Sequence, residues 1–142
     1  MTQNTVRVGI AVFIFKEGKF LLQQRHGAHG EGTWSVPGGH QELNESFEET
    51  ARREVLEETG LTIDNVQFGA ITNDVFQNEG KHYVTIWMTS NWESGTARIC
   101  EPDKCLKQEW CTFDNLPAPL FSPCWENLLN SDFIETIKQR VV

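Results

Sequence analysis

Three glutamates, Glu54, Glu57 and Glu58, are spaced so that their carboxylates share one side of a helix. Residues three and four apart on an α-helix are neighbours, and like charges at that spacing repel. Such a cluster of oxygen ligands suits Mg²⁺ or Mn²⁺, which are commonly held by a few carboxylates together with water and substrate phosphates. The alternative is an acidic helix surface in contact with water. The spacing therefore predicts either a divalent-metal site or a solvated acidic face.

The helix that carries these glutamates has a predicted start and a predicted end. Ser46 with Glu49 three residues later forms the S-x-x-E pattern of a capping box, and Gly60 can adopt the left-handed conformation that ends a helix. An apolar stripe recurs every four residues in this segment: Phe47, Ala51 and Val55. The stripe should pack on the rest of the chain and leave the carboxylates at the edge of the packed region.

Two further charged residues are predicted to support the glutamates. Arg53 stands four residues from both Glu49 and Glu57, so we expect it to orient these two carboxylates. Glu45 lies at the start of the helix, where a carboxylate interacts favourably with the helix dipole, and we predict a structural role for it.

The same segment matches a known motif. Gly39, Glu45 and the run REVLEETGL from Arg53 onward resemble the Nudix box at every specified position. Outside the box, shorter stretches such as HYVTI at His82 are similar to the MutT-like branch that acts on thiopurine and 8-oxo-dGTP-type nucleotides. The resemblance implies a metal-dependent hydrolase of nucleoside diphosphate derivatives. It also implies a Nudix fold, an α/β/α sandwich with a mixed central β-sheet in which the box forms a loop, a helix and a loop.

The resemblance further implies roles for individual residues. Glu54, Glu57 and Glu58 would hold Mg²⁺ or Mn²⁺, and the carbonyl of Gly38 would join the metal shell. Arg25 occupies a position at which such enzymes often carry an arginine that faces the phosphates.

The group that takes a proton from the attacking water has more than one candidate. A bound metal neutralises phosphate charge and lowers the pKa of a water molecule. Glu58 is our first choice for the base, and Glu57 and Arg53 complete the predicted catalytic set. Glu101 or Asp103, in the polar loop 94–107, is the alternative base.

The substrate pocket is predicted around the double glycine that follows Pro37. Gly38 and Gly39 permit close approach of the backbone to a phosphate. Thr85, Phe121 and the glycine-rich loop 27–32 are predicted to surround the nucleobase. The alternative is that Thr85 and Phe121 are ordinary sheet and core residues.

Length and charge limit the classes of protein to which the chain can belong. A chain of 142 residues suffices for one domain, and we predict a single domain over residues 1–142. The formal net charge of −8 argues against a nucleic-acid polymer as partner, because such partners need a basic face. A small anionic nucleotide accompanied by divalent cations agrees with this charge. The absence of a long apolar run and of a leader pattern predicts a cytoplasmic protein without a membrane partner.

The cysteine spacing does not predict a metal site, since the sequence has no C-x-x-C pair. In a cytosolic setting free thiols are expected at all four positions: Cys100, Cys105, Cys111 and Cys124. A disulfide between Cys100 and Cys105 is the less favoured alternative.

The remaining pattern predicts an α+β domain with helices on both faces of a mixed sheet. Alternation over residues 6–15 indicates a central strand buried on both faces, which forms a hairpin with residues 20–25. Further single strands are predicted at 34–37, 82–89 and 109–113, and two strands are predicted within 62–77. One or two helices should follow Pro123 and pack on the sheet.

Three functions are compatible with this box. We rank first the Mg²⁺-dependent hydrolysis of nucleoside triphosphates to monophosphates and pyrophosphate, with modified purine nucleotides among the substrates. A nucleotide-sugar (ADP-ribose-type) pyrophosphatase ranks second, because that group often carries a proline downstream of the box and residues 71–77 contain none. A non-catalytic nucleotide sensor ranks third, because sensors commonly lose a box carboxylate and this box is complete.

A homodimer is also predicted. The strand 82–89 and Trp92 carry more aromatic surface than a small core readily hides, and enzymes of this resemblance pair through the region. The alternative is packing of this surface against the terminal helix of the same chain.

Overall fold

The computed structural model describes residues 5–27 and 29–141. Within them the strands and helices follow in the order β1 Arg7–Lys16, β2 Lys19–Arg25, β3 Trp34–Ser35, β4 Gly38–His40, α1 Phe47–Thr59, β5 Thr62–Phe76, β6 Lys81–Ser94, β7 Cys105–Cys111, α2 Cys124–Leu129 and α3 Phe133–Arg140. Two short 3₁₀ turns lie at Gln77–Glu79 and Phe113–Asn115. This order confirms the predicted α+β class.

The strands form one mixed sheet. The order of its main path is β3-β2-β1-β6-β5, while β4 pairs with β1 and β7 pairs with β2. β1 and β6 run parallel, and the other pairs are antiparallel. The parallel pair is central, which agrees with the burial of β1 on both faces.

The two faces of β1 contact different helices. Ile10, Val12 and Ile14 pack in one core with Ala51 and Val55 of α1. The intervening residues of β1 pack in a second core with side chains of α2 and α3, including Phe13, Phe15, Trp125, Leu128 and Ile137. Successive side chains of a strand point to opposite faces, so α1 covers one face of the sheet and α2 with α3 the other. The predicted α/β/α sandwich is therefore confirmed.

The predicted hairpin forms, but its strands part soon after the turn. β1 and β2 are paired only at Phe15 with Phe20 and at Lys16 with Lys19. Beyond these pairs β4 lies along β1, and β3 lies along β2. Of the strand predicted at 34–37, only Trp34–Ser35 forms one, as β3, and the glycines expected to end it, Gly38 and Gly39, belong to the separate strand β4. The separation of β1 and β2 leaves the opening in which the candidate site lies.

The prediction of two strands within residues 62–77 is wrong. This segment is one 15-residue strand, β5, which pairs with β6 through register shifts near Asp64 and Phe68. The shifts take up extra residues without a turn, and Asn65 adopts a positive φ of 49° at one of them. At Gly69 a Cβ atom would lie 2.3 Å from the ring of Phe133, so the glycine lets α3 approach the sheet. Tertiary packing rather than local turn chemistry keeps this strand continuous.

β7 begins earlier than predicted. It starts at Cys105 rather than Glu109, because six residues of β2 offer it antiparallel partners. The polar loop between β6 and β7 is correspondingly shorter than residues 94–107. No helix among the described residues has the length and apolar character needed to cross a membrane.

Candidate active site

The box helix has the predicted caps. The Ser46 side chain accepts a hydrogen bond from the backbone N–H of Glu49, and the Glu49 carboxylate accepts one from the backbone N–H of Ser46. Gly60 ends the helix at φ 76°, and its N–H donates to the carbonyl of Leu56. Ala51 and Val55 are fully buried, whereas Phe47 of the predicted apolar stripe is partly exposed. The carboxylates consequently lie at the edge of the packed face.

Arg53 does not pair with Glu49, contrary to the prediction. Glu49 is engaged in the cap, and Arg53 instead donates to both carboxylate oxygens of Glu45, at 2.7 and 2.9 Å. It also donates to Glu54 at 2.7 Å and, more weakly, to Glu57 at 3.4 Å. The Arg53 guanidinium lowers the pKa of Glu45 to about 2. Arg53 thus links the segment before the helix to two of the three box glutamates.

Glu58 points inward beside Glu54. Its carboxylate accepts a hydrogen bond from Nε2 of Gln23 at 2.9 Å. Burial first, and then the adjacent Glu54 carboxylate, raise the pKa of Glu58 well above its usual range. The two acids therefore form a closely spaced pair of like groups at one end of a cavity.

These groups fit a divalent cation in their chemistry. Among residues 5–27 and 29–141, no three side chains of His, Cys, Asp or Glu already converge on one point. Glu54 and Glu58 adjoin, but the Glu57 side chain is 48% exposed and would have to turn toward them. Carboxylate oxygens brought together against their mutual repulsion are the donor set that Mg²⁺ or Mn²⁺ prefers.

The two glycines before the helix bring the backbone against these acids. A Cβ atom at Gly39 would lie 2.3–2.6 Å from the carboxylate atoms of Glu54. At Gly38 it would lie 1.9 Å from the backbone oxygen of Ile10. At Gly38 only glycine fits against the backbone of β1, whereas at Gly39 a side chain would have to displace the Glu54 carboxylate. Packing therefore accounts for the double glycine without recourse to the substrate.

A cavity of about 490 Å³ extends from the acids to a group of aromatic side chains. Glu54 and Glu58 line one part of it, and its aromatic lining comprises Phe76, Tyr83, Trp87 and Phe121. The rings of Phe76 and Phe121 are stacked with their centroids 5.5 Å apart. The cavity combines an acidic region with flat apolar walls.

Arg25 is the principal cation of this cavity. Its guanidinium carbon lies 4.1 Å from the centroid of the Phe121 ring, and its Nε donates to the carbonyl of His29 at 2.9 Å. Burial lowers the pKa of Arg25, while nearby Glu58 and Cys124 act in the opposite direction. Arg25 therefore lies between the acidic and aromatic parts, where an anionic group of a ligand would meet it.

Some of the residues predicted to surround the nucleobase line the same cavity. Thr85 and Phe121 both line it. Of the loop 27–32, His29 lines the cavity and Gly30 packs closely on the Phe121 ring, whereas Ala28 lies outside the described residues.

Sequence reasoning missed Gln23, although a signal was present. Gln23 is two residues before Arg25 on β2, and alternate residues of a strand face the same side. Its amide donates to Glu58, while its Oε1 accepts a hydrogen bond from Nε2 of Gln108 at 2.8 Å. Gln108 also donates to the backbone oxygen of Arg98, and this fixes which end of the Gln23 amide faces the acid.

The loop between β6 and β7 caps the end of the box helix. The backbone N–H groups of Arg98 and Cys100 donate to the carbonyls of Thr59 and Glu58, at 3.0 and 3.1 Å. Glu101 from this loop lines the cavity, whereas Asp103 is exposed and does not. Of the two loop acids predicted as alternative bases, only Glu101 lines the same cavity as Glu58.

All four cysteines are free thiols, as predicted. Cys105 and Cys124 line the cavity. Burial raises the pKa of Cys124 to about 12, so its sulfur keeps its proton at neutral pH.

A family model described as the NUDIX domain matches residues 5–128. The chain belongs to the Nudix family. It is a Nudix hydrolase that acts on nucleotides, and the assignment confirms the MutT-like resemblance of its box.

Several Nudix proteins are similar to the chain over most of its length. The oxidized purine nucleoside triphosphate hydrolase of Danio rerio is 32% identical over 115 residues, which cover 80% of this chain and 69% of that protein. The NAD-capped RNA hydrolase NudC of Shigella dysenteriae is 31% identical over 76% of this chain, which spans only 40% of NudC.

Solved structures give the same fold. The MutT NUDIX hydrolase of Burkholderia pseudomallei superposes with a TM-score of 0.79 at 27% identity, covering 98% of this chain and 100% of that one. The MutT protein of Methanosarcina mazei superposes with a TM-score of 0.73 at 21% identity, covering 98% and 97%. The two structures place the strands and helices of this chain in the Nudix arrangement.

Proposed function

We propose that the protein is a Mg²⁺- or Mn²⁺-dependent nucleoside triphosphate pyrophosphohydrolase that releases a monophosphate and pyrophosphate, with modified purine nucleotides among its substrates. The observation that carries the proposal is the order of groups along one cavity, with paired acids, then Arg25, then aromatic walls. A nucleoside triphosphate has the same order of parts, because its phosphates need a cation and its base needs a flat apolar surface. The similarity to an oxidized purine nucleoside triphosphate hydrolase supports this substrate class.

Individual residues have distinct parts in this proposal. Glu54 and Glu58, joined by Glu57 and the Gly38 carbonyl, would hold the cation, which lowers the pKa of a bound water and offsets phosphate charge. Gln23 holds Glu58 in place through a hydrogen bond.

The reaction forms a bond between the water oxygen and phosphorus and breaks the α–β anhydride bond. Glu58 accepts the water proton, or Glu101 does so from the opposite loop. Arg25 contacts a phosphate next to Phe121 and so holds the nucleotide between the acids and the aromatic walls. Gly39 keeps the backbone close to Glu54, and Arg53 holds that glutamate and Glu57 by ion pairs.

The test is a screen of nucleotides with Mg²⁺, in which pyrophosphate and phosphate release are measured separately. The nucleotide products are also identified by chromatography, because cleavage of ADP-ribose or NAD releases neither ion. The screen includes nucleoside triphosphates, ADP-ribose, NAD and an NAD-capped RNA, and it uses Glu58→Gln as the inactive control. Reaction in ¹⁸O-labelled water identifies the phosphorus that is attacked, because the label enters either the monophosphate or the pyrophosphate. We expect triphosphates to be the fastest substrates and pyrophosphate to be the product.

Two results would overturn the proposal. Faster cleavage of ADP-ribose, NAD or capped RNA than of every triphosphate would assign the enzyme to another Nudix substrate class. Tight nucleotide binding without turnover of any compound would indicate a sensor.

A further inference from the structure

A buried polar cluster lies behind the part of the cavity that Thr85 and Cys124 line. Its centre is Asp74 on β5, which is completely buried. Thr72, Thr85 and Asn127 contact the Asp74 carboxylate. Asp74 is also one of the groups that raise the pKa of the Cys124 thiol, after burial. The cluster joins β5, β6 and α2, and it is not part of the metal-binding acids.

Three side-chain hydrogen bonds of this cluster are directed at the Asp74 carboxylate. Oδ2 of Asp74 accepts from the hydroxyls of Thr72 at 3.0 Å and Thr85 at 2.5 Å, and Oδ1 accepts from Nδ2 of Asn127 at 2.8 Å. The Thr72 oxygen in turn accepts from Nε1 of Trp87 at 2.9 Å, so its own hydrogen is free for Asp74. The Asn127 amide nitrogen is a donor, and the hydroxyls of Thr72 and Thr85 each donate to Oδ2 of Asp74.

This arrangement fixes the direction of the Thr85 hydroxyl. A threonine hydroxyl has one hydrogen and two lone pairs, and in Thr85 the hydrogen is used on Asp74. The side chain consequently presents lone pairs, and no donor, to the cavity. The neighbouring Cys124 keeps its thiol proton beside Asp74 and offers only a weakly accepting sulfur.

We propose that Asp74 makes Thr85 an obligatory hydrogen-bond acceptor, so that the enzyme selects nucleobases that present an N–H donor at this end of the cavity. The inference rests on the proposed function, because it requires the base to occupy the part of the cavity with aromatic walls. Hypoxanthine and guanine carry an N–H at N1 and adenine carries one at N6, whereas unsubstituted purine offers only lone pairs on its ring nitrogens. A base without a donor places one of its own lone pairs against the Thr85 oxygen. Such a pair of facing acceptors disfavours the base more strongly than the loss of an apolar contact would. Asp74 acts as a positioning residue that does not itself touch the substrate.

The test compares inosine triphosphate with purine riboside triphosphate, which differ at N1 and C6 of the base. Wild-type kcat/KM should favour inosine triphosphate by about tenfold or more. In Asp74→Asn the amide can keep its oxygen toward Asn127 and turn its NH₂ group toward Thr85. The Thr85 hydrogen then turns into the cavity, and the preference should fall by about tenfold or reverse. Thr85→Val should lose most of the preference and still hydrolyse both compounds.

The controls separate base recognition from folding and from the reaction itself. Asp64→Asn changes an exposed residue of the same strand and should leave the preference unchanged. Binding of the two corresponding monophosphates, measured by calorimetry without metal, reports the same preference independently of turnover.

An unchanged preference in both Asp74→Asn and Thr85→Val, or the absence of a preference in the wild type, would overturn the inference. If no triphosphate is hydrolysed, the proposed function fails, and the binding preference still decides the inference. If Asp74→Asn does not fold, Thr85→Val decides it.

Discussion

At the scale of single residues, a substitution in the pair Glu54 and Glu58 should change catalytic activity and protein stability in different ways. Replacing Glu58 by Gln keeps the size of the side chain and the acceptor for Gln23 but removes the buried charge beside Glu54. We expect Glu58→Gln to lower kcat roughly 100-fold or more, with an unchanged or higher Tm in metal-free buffer. Turnover at saturating Mg²⁺ and a thermal melt measure the two effects. Near-wild-type kcat would show that the acids are a solvated helix surface.

Gln23 should affect the metal requirement through its contact with Glu58. Gln23→Met preserves length and apolar packing but removes the donor to Glu58. We expect a higher Mg²⁺ concentration for half-maximal activity and weaker Mn²⁺ binding by electron paramagnetic resonance, with little change in KM for the nucleotide. Gln67→Met, on the exposed part of β5, is the matched control. An unchanged Mn²⁺ affinity would mean that Gln23 only fills space.

At the scale of elements, the pairing of β4 with β1 places three glycines in different surroundings. A Cβ atom at Gly9 has its nearest contact at 4.0 Å, one at Gly39 meets the movable carboxylate of Glu54, and one at Gly38 meets the backbone of β1. Gly9→Ala should be neutral. Gly39→Ala should keep most of the stability but lose activity, because Glu54 has to move aside. Gly38→Ala should fail to fold or lose about 1–3 kcal/mol or more. Thermal melts and kcat for the three variants check this order, and equal effects at Gly9 and Gly39 would contradict it.

The elements also show which features the sequence can predict. The caps of α1 depend on residues three or four apart, and the faces of β1 depend on alternation, so both were predicted correctly. The predicted contact of Arg53 with Glu57 forms, but the predicted contact with Glu49 was wrong. Glu49 could have been set aside, because a glutamate in a capping box is already engaged. The continuity of β5 depends on its 14-residue partner β6, and the cluster around Asp74 includes Asn127, which is distant in the sequence. Neither feature therefore has a signal in the neighbouring sequence.

At the scale of the whole molecule, the chain has a formal net charge of −8, and Arg53 offsets part of this negative charge at Glu45. The pKa of Glu45 falls from 4.5 to about 2 because of that arginine. A depressed carboxyl pKa contributes stability that is complete above about pH 4.5 and is lost as the pH falls toward 2. The Tm difference between wild type and Glu45→Gln should therefore be largest near neutral pH and shrink in acid. Glu48→Gln, which breaks an exposed pair with Arg52, should have a small effect throughout. A difference for Glu45→Gln that does not vary with pH would contradict this assignment.

The homodimer stays a prediction, as does the single domain over residues 1–142. Trp87 is buried within the chain, and Tyr83 and Trp92 are half-buried, so much of the aromatic surface that motivated the dimer is already covered. Exposed apolar side chains lie instead on β5, at Phe68, Ile71 and Val75. Sedimentation at micromolar concentration should give about twice the chain mass of 16.2 kDa. A mass near one chain would exclude the dimer.

The early parting of β1 and β2 gives the molecule a mechanical property. One wall of the cavity belongs to the unit β4-β1-β6-β5, and the opposite wall belongs to β3-β2-β7. The backbone ladder of β1 and β2 joins these units only beside the turn, at the Phe15–Phe20 and Lys16–Lys19 pairs. Away from the turn, side chains rather than a backbone ladder therefore set the spacing of the two walls. The walls share both hydrophobic cores, and the hydrogen bond between Gln23 and Glu58 spans the opening.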